Sequence, residues 1–315
     1  MYVPRFKMPC LVLLFFLVVT TKCQGDEDSG KEIDRWQEPD MNDTVDISKL
    51  RIEHRDHTYA DINNYRTLHM YLHLTVDMES RTLSGHVDIT FVKMRPSWMI
   101  SKFGPAGPDL VLDIGPHVSV TRVENIETGE TLTFERWCED EPDVAVLECA
   151  LQIQDPLATV GQFKLRIHYS VTEKTSALHF VPPYQTHDGQ HYYLITTTQP
   201  SNARGWIPCQ DTPALKFPYD AAVRVKHPFT ALMSAITTST TQSEDSEWSV
   251  VVFKQDIPVP PFLIAITVAD IVPVDVNAYS GESTSEDLPP IKVWGERTVM
   301  EKVGPSGLLD LVSSS

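Results

Sequence analysis

The stretch TLHMYLHLTV, Thr67–Val76, alternates apolar and polar or amphipathic residues over ten positions. Successive side chains of an extended chain point to opposite faces, so Leu68, Met70, Leu72, Leu74 and Val76 fall on one side. That is the signature of a half-buried strand. After the turn region DMESRTLSG the alternation resumes in GHVDITF, with Val87, Ile89 and Phe91 on one face. LVLDI (110–114) is a short buried run, and RVENIETGETLTF reads as two short strands around a hairpin turn at Thr128 and Gly129. FKLRIHYSV places Phe163, Leu165, Ile167, Tyr169 and Val171 together. HYYLITTT, YDAAVRVKH, FTALMSAI, WSVVVFKQDI and PFLIAITVADI follow at the short spacing of an all-β domain. No segment before about Thr298 carries a 3.6-residue period, and the 23 prolines suit edge strands, turns and loops. The expected fold is all-β, a large and mostly antiparallel saddle or sandwich. IKVWGERT resumes a strand after the surface loop or junction SGESTSEDLPP, and VMEKV begins a helix.

The chain has 315 residues, 42% hydrophobic and 22% charged, enough for one large domain or two ordinary ones. Its amino end differs from the rest. Arg5 and Lys7 precede the apolar run LVLLFFLVV, Leu11–Val19, and small residues follow up to Cys23. This is a cleaved signal peptide or a signal anchor, and the run is shorter than the roughly 20 residues of a membrane span. The expected organisation is a signal peptide at 1–23, a flexible acidic leader at 24–59, a β domain at 60–279, and a junction with the start of a second domain at 280–315. The expected location is secreted or luminal, with membrane contact only if the signal stays uncleaved. In an oxidising compartment Cys138 and Cys149, which flank an acidic turn and a strand, are expected to form a disulfide. Cys209 is then a buried neutral thiol, and Asn42 in the sequon Asn42-Asp43-Thr44 carries a glycan. A net charge of −17 argues against nucleic acid and anionic lipid as partners.

Few motifs carry chemistry. His54 and His57 have metal-ligand spacing but lie in the polar leader without a third ligand. His69 and His73 share the solvent side of a strand, roughly 13 Å apart, too far to hold one ion. No H-E-x-x-H, phosphate-binding glycine loop or G-x-S-x-G elbow occurs. Glu139, Asp140 and Glu141 read as a solvated turn.

The remaining candidate is TTTQPSNARGWIPCQDTP, Thr196–Pro213. Pro200, Pro208 and Pro213 stiffen it, and Gly205 allows close approach. Gln199 follows a strand end, and its amide can both donate to and accept from a substrate amine or peptide group. Alternatively, Gln199, Asn202, Arg204 and Asp211 only satisfy the backbone of a buried loop. The residues by themselves favour the second reading.

In its order of residues this segment resembles the gluzincin zinc aminopeptidases, closest to the branch of aminopeptidase B and leukotriene hydrolase. There a T-Q-x-[EQ] type motif ends a strand and leads through an Ala-Arg pair into P-C-x-D-x-P-A. Gln199, Ala203-Arg204, Pro208-Cys209, Asp211 and Pro213-Ala214 stand in the same order here. RTLHMYLHLTVDMESRTLSGHVDITF, KTSALHF, ALMSAI and IPVPPFLIAITVADI resemble other family segments, covering roughly Ala60–Lys302. The resemblance implies that Gln199 binds the free amino terminus of a peptide. Thr197 stands where the family has a further glutamine, and Pro200 replaces a small residue. It also implies a catalytic domain from about Ser280 onward, bearing zinc in full-length members. The chain as it stands is expected to hold no catalytic residue, metal or cofactor. It would be the N-terminal, substrate-side domain of a zinc aminopeptidase, with peptide N-termini and a catalytic domain as partners. The other reading is a secreted, catalytically dead peptide-binding or regulatory β module.

Overall fold

The computed structural model describes residues 58–94, 109–138, 149–154, 156, 161–242, 247–275 and 292–301. All of them belong to one compact unit, Arg55–Glu286 with Pro290–Ser315. The signal segment, the leader up to residue 57 with Asn42, His54 and His57, the acidic run 139–141 and the loop 280–290 lie outside the described residues.

The alternating stretches form the largest sheet. β1 (Tyr65–Asp77) and β2 (Thr82–Lys93) pair antiparallel around the turn at 78–81, and β2 pairs with β7 (Gly161–Thr172). On the other side β1 runs parallel to β10 (Phe217–Lys226), the one parallel pair among the described strands. β13 (Trp248–Val259) and β12 (Ile236–Gln242) extend that side, and β4 (Val118–Asn125) closes the other. The order is β12-β13-β10-β1-β2-β7-β4. Met70, Leu72, Leu74, Val87, Ile89, Phe91, Leu165, Ile167 and Val223 are buried on its inner face. Each such side chain contributes about 1.5–3 kcal/mol through area removed from water. The outer face carries half-exposed histidines, Asp88 and Arg166, the polar side expected of a sheet packed on one face.

Three smaller sheets complete the fold, which is all-β. β3 (Leu110–Ile114), β6 (Cys149–Ile153) and β5 (Phe134–Cys138) form one; β11 (Thr230–Met233), β14 (Ile266–Ala269), β9 (Tyr193–Thr196) and β8 (Leu178–Val181) form the second. β15 (Ile271–Asp275) and β16 (Lys292–Glu296) pair as the third, and a single helical turn follows at 297–301.

Two local readings change. Leu68 is exposed rather than inward, because β1 has a bulge between Thr67 and His69 that turns Thr67 to the core instead. The turn at Thr128 and Gly129 forms, with Gly129 at φ 73 and its N–H donating to Asn125 O, but the returning chain makes only the bridge Glu124–Thr131. It then leaves for the three-stranded sheet as β5. Cys138 and Cys149 face each other in the β5–β6 register and are joined by a disulfide.

Candidate functional site

Thr196–Pro213 divides into an exposed rim and a buried base. β9 ends at Thr196, and Thr197, Gln199 and Pro200 are exposed. From Ala203 to Thr212 every residue is buried. The turn between is held at both ends. Thr197 N–H donates to Ala177 O, and Thr198 Oγ1 donates to Phe262 O at 2.6 Å. Asn202 N–H donates to Thr198 O, and Asn202 Nδ2 donates to Thr197 O at 2.7 Å, closing the loop around Gln199. The Gln199–Pro200 peptide is cis.

The base begins with a 3₁₀ turn, Ala203–Gly205. Gly205 lies against Gly115, where an added Cβ would come within 2.9 Å of Gly205 Cα, so two backbones meet without side chains between them. Gly115 N–H donates to Arg204 O, and Thr175 Oγ1 donates to Gly205 O, each at 2.7 Å. Asp113 and Cys209 exchange backbone hydrogen bonds of 2.8 and 3.2 Å, tying the three-stranded sheet to the segment. Gln210 ties it to the large sheet. Its Oε1 accepts from Thr67 N–H and Oγ1, and its Nε2 donates to Tyr65 O.

A buried ion cluster sits within this base. Arg204 donates through its backbone N–H and its Nε to Asp211 Oδ2, at 3.1 and 3.0 Å, and through Nη2 to Asp211 O. Arg204 Nη1 is 3.7 Å from Asp113 Oδ1. Asp113 also accepts from Thr58 Oγ1, Tyr59 N–H and Asp211 N–H. Burial pushes both carboxyls up in pKa, and the guanidinium opposes it, as do the donated hydrogen bonds. Burial also pushes the Cys209 thiol well up, with Asp211 and Asp113 adding to it, which makes it an inert core group.

Arg204, Asp211 and Asn202 therefore serve the backbone and the core, as the residues alone suggested. Gln199 does not. It stands outside, with Thr197 and Pro200 beside it, on a turn whose base is locked into two sheets. Sequence reading missed Asp113, on the partner strand β3, and Gln210, within the segment itself; their only signal was a polar residue in a continuously buried run, Asp113 in LVLDI and Gln210 after Pro208 and Cys209.

The zinc implied by the resemblance needs two imidazoles one helical turn apart and a carboxylate ligand. Among the described residues α-helix is confined to 297–301, RTVME, without histidine, and the rim around Gln199 offers hydroxyl, amide and proline only. These residues do not fit that zinc, and no step of hydrolysis is assigned to them.

Residues 62–263 match the family model described as the Peptidase M1 N-terminal domain. Leukotriene A-4 hydrolase of Xenopus laevis is 29% identical over 246 residues, covering 78% of this chain and 36% of that protein. Leucine aminopeptidase 2 of Candida glabrata is 26% identical over 265 residues, covering 81% of this chain and 36% of that protein. The chain spans little more than a third of the length of these relatives. Native leukotriene A4 hydrolase from Saccharomyces cerevisiae shares the fold with a TM-score of 0.61 at 24% identity, over 79% of this chain and 34% of that one. A variant M1 zinc metallopeptidase from Deinococcus radiodurans shares it with a TM-score of 0.51 at 21% identity, over 69% and 44%.

Proposed function

Because the chain belongs to the peptidase M1 N-terminal domain family, we propose that it forms the substrate-side wall of a secreted or luminal zinc aminopeptidase, which removes N-terminal residues from peptides. The observation that carries this reading is the placement of Gln199: exposed, next to Thr197 and Pro200, on a turn braced by Asn202 and rooted in a buried base. The braced turn fixes the backbone from which the Gln199 amide projects, and its oxygen can accept from an ammonium while its nitrogen donates to a carbonyl. Zinc and the catalytic base are supplied by residues other than those described here. Export is supported by the basic flank and apolar run of residues 5–19 and by the Cys138–Cys149 disulfide.

The test is a titration of the ¹⁵N-labelled chain with a tripeptide bearing a free amino terminus. The Gln199 side-chain amide and the neighbouring backbone should shift, the N-acetylated peptide should leave them in place, and Gln199→Ala should abolish the response. Equal shifts with both peptides, or none with either, would overturn the assignment.

The same surface supports a second reading: a secreted module that binds peptide N-termini without cleaving them and competes with a full enzyme. It rests on the same exposed Gln199 turn, whose amide can hold an amino terminus without a metal. The intact mass of the native protein separates the two.

A further inference from the structure

Three histidines stand in one row across the outer face of the large sheet. His73 on β1 is directly opposite His86 on β2, and His86 is opposite His168 on β7. The His73 and His86 rings are stacked with centroids 4.4 Å apart, and His168 lies 5.4 Å from His86. Gly85 lets β1 and β2 approach this closely, since a Cβ there, at φ 150, would collide with the His73 carbonyl. Two residues beyond His86, Asp88 shares the same face. Its Oδ2 is 3.9 Å from His73 Nε2 and its Oδ1 is 4.0 Å from His86 Nε2.

The donor atoms of His73, His86 and Asp88 lie within 4.8 Å of one another. Donors about 2.1 Å from one tetrahedral ion lie about 3.4 Å apart, so side-chain rotations that close each separation by roughly 0.5–1.4 Å would complete the set. His86 Nε2 is buried and has no hydrogen-bond partner among the described residues. A buried ring nitrogen without a partner is costly unless something else takes its lone pair or proton. Asp88 is already oriented: Arg166 Nε and Nη2 donate to its two oxygens, both at 2.7 Å, as a carboxylate ligand is commonly fixed from behind. The other comparable group, Asp188, His191 and Asp270, is closed by its own bonds. Asp188 accepts from Gln190 N–H, His191 N–H, Thr186 Oγ1 and His191 Nδ1, and Asp270 accepts from Arg297.

We propose that His73, His86 and Asp88 form a surface binding site for a divalent transition-metal ion of the Zn²⁺ or Cu²⁺ type, completed by water. Two imidazoles and one carboxylate are the donor set these ions prefer over Mg²⁺ or Ca²⁺. His168 is engaged with Glu124 at 3.4 Å and flanks the site. Arg166, bonded to Asp88, opposes a second cation and weakens the site.

The test uses the tag-free chain and the metals alone. Zn²⁺ competed against a chromophoric indicator should show one saturable site per chain. His73→Ala and His86→Ala should each weaken it by at least about tenfold, the loss that even changes behind the ligands cause. His69→Ala and the double change His54→Ala with His57→Ala should leave it unaltered. Cu²⁺ bound to the unsubstituted chain should give an electron paramagnetic resonance spectrum split by two imidazole nitrogens, a readout independent of how variants fold. Binding that survives loss of His73 and His86, binding that follows His54 and His57, or a Cu²⁺ spectrum without imidazole nitrogen overturns the proposal.

Discussion

Leu68 is where the alternation of TLHMYLHLTV breaks. Beside the bulge, before β10 begins to pair at Met70, Gln210 Oε1 accepts the Thr67 N–H at 2.8 Å and its Nε2 donates to Tyr65 O. One glutamine from a distant segment thus completes a local irregularity, and period-two reading cannot see that partner. Arg204 raises the same point with charge. Arg204→Met would leave Asp113 and Asp211 buried without their cation, and urea unfolding should show a loss of about 3–5 kcal/mol. Both carboxyls would then be pushed further up, so the folded variant takes protons more readily than its unfolded chain. Part of the lost stability should return as pH falls through the carboxylate range. A loss below about 1 kcal/mol would show that the cluster contributes little.

At the scale of elements, β5 and β6 depend on their crosslink more than the central strands do. β5 is exposed at three of its five residues, and the loop it closes spans 11 positions. Replacing Cys138 and Cys149 together by Ser should lower stability by about 2–3 kcal/mol. Reduction of the unsubstituted chain should raise its intact mass by about two units, whereas an unchanged mass would mean free thiols. The central strands need no such link, because both neighbours of β1 and of β2 bury apolar rows against them. These rows were legible in the sequence, since burial of one face writes itself as alternation. The pairing of His73 with His86 was not. Distance along a strand correctly separates His69 from His73, and His69 indeed pairs elsewhere, with Asp220 at 2.9 Å. The neighbour of His73 lies across the strand instead.

For the molecule as a whole, acidification brings two opposed effects. With a net charge of −17, adding protons relieves self-repulsion. The histidine row works the other way. His86 faces His73 from β1, Arg166 and His168 from β7, and Asp88 on its own strand, with Glu124 of β4 beyond His168. Its folded pKa is about 4 against roughly 6.5 in the unfolded chain, so the unfolded state takes the proton first. Stability from this group is present above about 6.5 and lost as pH falls toward about 4. The melting temperature should therefore drop more between pH 7 and pH 5 in the unsubstituted chain than in His86→Gln. Identical pH profiles would refute this role for His86.

The sequence by itself determined the all-β class, the strands, the opposed cysteines and the family resemblance around Gln199, because each is written in local period, spacing or residue order. Only the tertiary structure decided which half of Thr196–Pro213 faces water. It alone also brought Asp113, Arg204 and Asp211 into one buried cluster, tied Gln210 to β1, and set three histidines in a row. The physical reason is register and long-range contact: strand pairing is fixed by distant backbone hydrogen bonds, so a slip of one residue would send Asp113 and the three histidines to the other face, while Arg204 and Gln210 are placed by partners far away in the chain.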